Sequence, residues 1–327
     1  MLRPMKMEDG GERATLGVAS RALLGLLYLL PKNAISRAMG WLASRRLPAP
    51  LQRLELELFV RLAGIDRSDL AQPLERYPSL QQLFTRALAP GARPLEGGDE
   101  VLVSPCDGAW GTAGRIEHGT LLQVKGRRYR VADLIGDEAL AMHFEGGEFA
   151  TLYLSPRDYH RFHAPAAGRI TRLVYRPGAL WPVNSIGLLG IDGLFARNER
   201  ICAFLDVGGL EVGGLEVGPP EIEGGRTGAR AREGSTPLAM VAVGATMVGS
   251  VRLAFDALAT NRRGASPEDR SLGESGPWLD RGAEWGHFEF GSTIVLLIPP
   301  GPCRLEPRPI GTPLRLGRAI GRIAHAR

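Results

Sequence analysis

Apolar residues recur at helical spacing only in the first quarter of the chain. Ile35, Met39 and Leu42 stand at i, i+4 and i+7, with Ala38 and Trp41 beside them, and Leu51, Leu54, Leu58 and Leu62 form a second stripe. A 3.6-residue repeat gathers each set on one helix face, and Asn33 is placed to cap the first. The pattern predicts helices from about 18 to 64, with a shorter one around Ser79-Leu80-Gln81-Gln82-Leu83-Phe84. After Pro90 the period changes. The runs Thr120–Val124, Phe149–Leu154, Ile201–Leu205, Leu238–Val243 and Ile294–Ile298 are separated by glycine and proline, which predicts strands joined by turns. The expected fold is α+β: N-terminal amphipathic helices on a mainly antiparallel β sandwich or flattened barrel with a duplicated hairpin unit. Its expected divisions are a disordered tail (1–17), a helical region (18–90) and a β-rich region (91–327) with a glycine-rich loop at 208–234.

The duplication rests on Ser104-Pro105-Cys106-Asp107-Gly108-Ala109-Trp110 and Ala164-Pro165-Ala166-Ala167-Gly168-Arg169-Ile170, sixty residues apart. In each, a proline ends one extended segment and a glycine permits the turn into the next.

Composition is ordinary for a folded protein of 327 residues: 44% hydrophobic, 23% charged, net charge +5. Charge distribution says more. No acidic residue lies between Glu12 and Glu55, whereas Arg13, Arg21, Lys32, Arg37, Arg45, Arg46 and Arg53 all fall there. A cationic, apolar helical appendage suits an anionic membrane surface, with Trp41 and Tyr28 at headgroup depth, as well as it suits packing on the body. The apolar stretch 21–30 is too short to span a bilayer and lacks a signal-peptide cleavage site. Cys106, Cys202 and Cys303 are scattered and odd in number, which predicts no disulfide framework and a reducing compartment.

Three segments carry candidate chemistry. Asp107 sits in the first proline turn. His160 and His163 share the frame Asp158-Tyr159-His160-Arg161-Phe162-His163, where His-x-x-His lacks an evident third ligand, so no metal is expected. The polar step Gly291-Ser292-Thr293 precedes the run Ile294–Ile298, where glycine by itself would signal only a bulge. A second Gly-Ser-Thr at 234–236 lies in the glycine-rich loop, precedes a proline and is expected to have no apolar strand behind it, which leaves Ser292 as the candidate.

Together these motifs resemble the phosphatidylserine decarboxylase proenzymes, over roughly residues 20–305. Phe195-Ala196-Arg197-Asn198-Glu199-Arg200, Val243–Gly249, Pro177-Gly178 and Val183-Asn184 match as well. The departures are the N-terminal extension, the insertion at 208–234 and Phe290 in place of the usual leucine. The resemblance implies self-cleavage between Gly291 and Ser292. The serine attacks the preceding carbonyl to give an ester, and β-elimination then splits the chain and leaves a dehydroalanine. This tautomerises and hydrolyses with loss of ammonia to an N-terminal pyruvoyl group (covalent pyruvate) on a small chain, 292–327. It implies Ser292 as nucleophile, His163 as base and Asp107 as the base's orienting partner, with a Schiff base to substrate through the pyruvoyl ketone. His163 would then protonate the substrate carbon, and His160 would help place the substrate carboxylate. The implied partners are a membrane phospholipid, the membrane surface and the protein's own small chain, with a homodimer allowed and no nucleic acid. Peripheral attachment to the cytoplasmic face of the cell membrane is expected. The competing readings are a pyruvoyl decarboxylase of a soluble amino acid and a non-enzymatic biotinyl- or lipoyl-like carrier module.

Overall fold

A computed structural model describes residues 17–123, 127–207, 237–247, 250–289, 291 and 293–324. The polar tail before Gly17, the glycine-rich loop with its Ser235, and Ser292 itself lie outside the described residues; against expectation, a buried strand, Pro237–Val243, does follow the second Gly-Ser-Thr.

The strongest apolar runs become the centre of a nine-stranded antiparallel sheet. Its order is Glu268–Ser271, Gly168–Arg176, Arg200–Asp206, Pro237–Val243, Thr293–Ile298, Glu148–Tyr153, Gly108–Arg115 and Pro313–Leu314, with Trp278–Leu279 also on Gly168–Arg176. Thr293–Ile298 is buried throughout and lies between Pro237–Val243 and Glu148–Tyr153. A strand covered on both faces reads as a continuous apolar run. Here Ile294, Leu296 and Ile298 enter one core and Val295 and Leu297 the other. Two three-stranded sheets contribute to the first core; the short helices Val131–Ile135, Glu138–Met142 and Leu194–Arg197 contribute to the second.

This is a layered α+β arrangement. The flattened barrel does not form: Glu268–Ser271 and Pro313–Leu314 end the sheet with one neighbour each, and no barrel closes among the described strands. Helices cover the second core, so burial needs no closure.

The repeated motif is physically a pair. Val103 N donates to Pro165 O at 2.9 Å, and its counterpart His163 N donates to Pro105 O at 2.7 Å. Ser104 exchanges backbone hydrogen bonds with Gly317 and Arg318, and Ala164 does so with Gly282 and Ala283. Pro313–Leu314 pairs with Ala109 and Gly108 as Trp278–Leu279 pairs with Arg169 and Gly168. Two related bends therefore cross and bond reciprocally.

At the N-terminus are α1 (Val18–Leu29), α2 (Lys32–Ala43) and α3 (Ala49–Ala63). Helix α1 sets Leu24 and Leu27 against the second core. Asn33 does not cap α2. Pro31, whose missing N–H and fixed φ suit a helix entry, starts that helix earlier, and Asn33 Nδ2 donates to Gly178 O at 2.9 Å. Helix α3 buries Gln52, Leu56 and Val60, of which Leu56 and Val60 form a small core with Tyr77 and Leu83. Its Leu51, Leu54, Leu58 and Leu62 are each more than half exposed, as are Trp41 and Leu42. Lys32 and Arg37 turn to the body instead, over the Trp181 ring and onto Asn261 Oδ1. Among the described residues no helix is long and apolar enough to cross a membrane. Ser79 caps α4 (Leu80–Phe84) by accepting from Gln82 N.

Candidate active site

Gly291 lies just ahead of the central strand, whose first residue Thr293 pairs with Tyr153 and Val243. A Cβ at Gly291 would stand 3.3 Å from His160 Nε2 and 3.3 Å from Leu154 O, tighter than ordinary contact, so the space here suits glycine.

His160 is fully buried, with its ring 3.9 Å from that of Phe84. Its Nδ1–H donates to Asp158 O at 2.8 Å, because a carbonyl can only accept, and Nε2 has no hydrogen-bond partner among the described residues. Burial, reinforced by the Arg86 charge, holds its pKa down to about 3. The ring is neutral and turns a bare lone pair to Gly291. Such a nitrogen accepts rather than donates, so the expected contact with a substrate carboxylate does not suit it; an amine N–H does.

His163 is fixed differently. Nδ1–H donates to Gly282 O at 2.8 Å, and Nε2 accepts from Tyr159 OH at 3.2 Å. Burial pushes its pKa down, against the Gly282 hydrogen bond and the charges of Glu284 and Asp107. Asp107 lies at the crossing of the two bends, but its carboxylate makes no hydrogen bond to His163. Arg93 grips it through Nε at 3.0 and 3.1 Å and Nη2 at 2.6 Å, and Leu316 N adds a bond at 2.8 Å. Asp107 therefore acts on His163 through its charge, and the groups that orient His163 are Gly282 and Tyr159.

A charged cleft of about 170 Å³ adjoins these residues, walled by Arg86, Arg93, Asp107, Asp158 and Tyr159 and reached by Gly64 at the end of α3. The sequence pattern missed Arg93, Tyr159, Arg86 and Gly282. Of these only Tyr159 carried a signal, its place inside the two-histidine frame. Among the described residues no cluster of His, Cys, Asp or Glu could hold a metal ion. A small group made from Ser292 is compatible with this setting: it would arise one residue along the chain from Gly291, the residue that lies against His160 Nε2.

A glycine packed on a bare imidazole nitrogen, directly before a serine that leads into a buried strand, suits a precursor that breaks its own backbone to make a catalytic group. Comparison gives the particular family. The profile described as phosphatidylserine decarboxylase matches residues 80–322. The chain is 42% identical to a phosphatidylserine decarboxylase proenzyme of Anaeromyxobacter sp. (strain K), over 92% of this chain and 98% of that one. It is 37% identical to one from Brevibacillus brevis and 36% to one from Myxococcus xanthus, each over 86% of this chain and 90% of the relative. The chain belongs to the phosphatidylserine decarboxylase family.

Proposed function

We infer that the chain is a proenzyme that breaks the bond between Gly291 and Ser292, then decarboxylates phosphatidylserine to phosphatidylethanolamine and carbon dioxide. Family membership carries the reaction, a carboxy-lyase step that depends on a pyruvoyl group made from the serine. The bare Nε2 of His160 beside Gly291 carries its location.

In the first reaction the Ser292 hydroxyl adds to the Gly291 carbonyl, the acyl group shifts from nitrogen to oxygen, and β-elimination parts 1–291, which leaves as a carboxylate, from 292–327. The dehydroalanine left at residue 292 tautomerises and takes up water, releasing ammonia, to become the pyruvoyl ketone. His163 takes the hydroxyl proton at Nε2 once the Tyr159 hydroxyl turns away, and the Asp107 charge stabilises the imidazolium that forms. In the second, the pyruvoyl group supplies a sink for the electron pair released with carbon dioxide. His160 Nε2 accepts a hydrogen bond from the substrate amine and orients it. His163 returns a proton to the carbon that lost the carboxylate. Mass spectrometry tests this: the small chain should begin at residue 292 with a ketone that borohydride or hydroxylamine traps. Active protein in one unbroken chain would overturn the reading.

We propose too that α1–α3 attach the protein peripherally to the cytoplasmic face of the membrane. Support comes from the exposed leucine stripe of α3, from Trp41 with the Arg45 guanidinium 3.8 Å over its ring, and from a stretch without acids. Helix α3 ends at the cleft, so a lipid headgroup has a short route inward. Replacing Leu54, Leu58 and Leu62 by serine removes no buried packing. It should abolish flotation with anionic vesicles, and full retention of binding would sink the idea.

A further inference from the structure

We propose that Arg86 is a positioning residue for His160, clamping from behind the carbonyl that holds the imidazole and so aiming Nε2 at Gly291. The proposal rests on the reading of His160 given above. Arg86 Nη2 donates to Arg157 O at 3.0 Å and to Asp158 O at 3.1 Å. The Asp158 carbonyl is also the acceptor for His160 Nδ1–H, at 2.8 Å. One oxygen thus takes two donors, and the arginine fixes the anchor that fixes the ring. The same short segment supplies Phe84, whose ring stacks on the imidazole from α4.

Arg86 is an expensive way to fill space. It is 5% exposed, its Nε and Nη1 have no partner, and it forms no ion pair among the described residues. Burying a guanidinium with unmet donors costs stability that leucine or methionine at the same position would not. A cation here does one thing an apolar residue cannot. Its field disfavours a proton on His160, second only to burial itself. Among the described residues the other groups recorded at the ring do not cancel that field. Phe84 and Gly291 are uncharged, and Asp158 turns its carboxyl away to Ser155, accepting at Oδ2 from Ser155 N and Oγ at 2.7 and 2.6 Å. The ring is therefore held in one tautomer and kept free of a second proton by the same side chain.

The test separates clamp from charge. Arg86→Gln keeps N–H donors for the carbonyls and removes the charge; Arg86→Lys keeps the charge and loses the planar fork. In processed protein, R86Q should move the acid limb of decarboxylation upward by about one pH unit. R86K should leave the limb in place and lower kcat by roughly ten- to a hundredfold. Nitrogen NMR of labelled histidine gives a readout without turnover: one Nδ1–H tautomer for His160 in the parent, an upward-shifted titration in R86Q. If R86Q does not process itself, the same spectrum is taken in the uncleaved Ser292→Ala chain. His160→Gln completes a cycle in which R86Q should add nothing further. If H160Q slows turnover while R86Q alters neither limb, rate nor spectrum, Arg86 plays no such part. A full additional loss from R86Q on top of H160Q overturns it equally. If H160Q runs at the parental rate, the reading of His160 fails first.

Discussion

Val103 and His163 occupy corresponding positions in two halves that share one backbone plan. Each donates its N–H across the crossing to the proline of the other half, and each precedes a residue bonded to a glycine-containing turn. The side chains diverge. Val103 is wholly buried and packs; His163 is half-buried and titrates. Asp107 likewise corresponds to Ala167 in the other half, and only Asp107 can take an ion-pair partner, Arg93. Reciprocal hydrogen bonds need both copies of the bend, whereas chemistry needs each copy to carry something different. The crossing brings the aspartate of one half to the histidine of the other, which neither half could do alone.

The largest effect that tests this division comes from truncating the paired positions. His163→Ala should slow self-cleavage by about 10²- to 10⁴-fold, the usual contribution of a positioned proton acceptor. It should leave the fold nearly as stable, because the ring is partly exposed. Val103→Ala should do the reverse, costing about 2 kcal/mol of stability through a cavity while cleavage proceeds. Time courses on denaturing gels alongside thermal unfolding measure both. If Val103→Ala slows cleavage as much as His163→Ala at equal folded fraction, the halves are not divided as argued.

The sequence made the scaffold legible and left the partners dark. Thr293–Ile298 and Pro237–Val243 read as strands because burial on both faces leaves no polar gap, and the proline-to-glycine bends were visible as repeated turn chemistry. The helices Val131–Ile135 and Leu194–Arg197 are too short for a period to register, and the small sheets are interrupted by turns every few residues. Periodicity also names a face without naming what it meets. The leucine stripe of α3 was plain, yet only the structure reveals that Leu56 and Val60 are the buried set and the stripe looks outward. At the site, Asp107, His160 and His163 stood out by residue type and frame. Arg93, Arg86 and the Gly282 carbonyl did not, since long-range partners leave no local pattern.

An intermediate effect concerns acid. His160 and His163 precede or occupy the crossing in one half only, and burial depresses both pKa values, that of His160 to about 3. Such groups are held neutral in the folded state and take up protons more readily once unfolded, at about 6.5. Their stabilising contribution is therefore present above pH 6.5 and is lost as pH falls below it. By pH 5, His160 alone should cost about 2 kcal/mol. His160→Gln should flatten the slope of stability against pH between 6.5 and 5; an unchanged slope would place the titrating groups elsewhere.

The smallest effect separates the two turn glycines, and here the halves differ in what lies against them. Gly317 and Gly282 both have left-handed φ, at 85° and 79°. Alanine at either costs about 1–2 kcal/mol for the backbone alone. A Cβ at 317 would meet Pro94 O at 2.7 Å, an immovable backbone atom, whereas at 282 it would meet Leu95 Cδ2 at 2.7 Å, the tip of a flexible side chain. Gly317→Ala should therefore lower stability more. Gly282→Ala should show itself elsewhere, because the Gly282 carbonyl anchors His163 Nδ1–H: a shift of that carbonyl by a few tenths of an ångström would slow self-cleavage by several-fold while the melting temperature falls less than for Gly317→Ala. The pair thus asks whether a turn in the catalytic half is held for its backbone, as in the other half, or for the proton acceptor it fixes. Equal cleavage rates in both variants would favour the first answer.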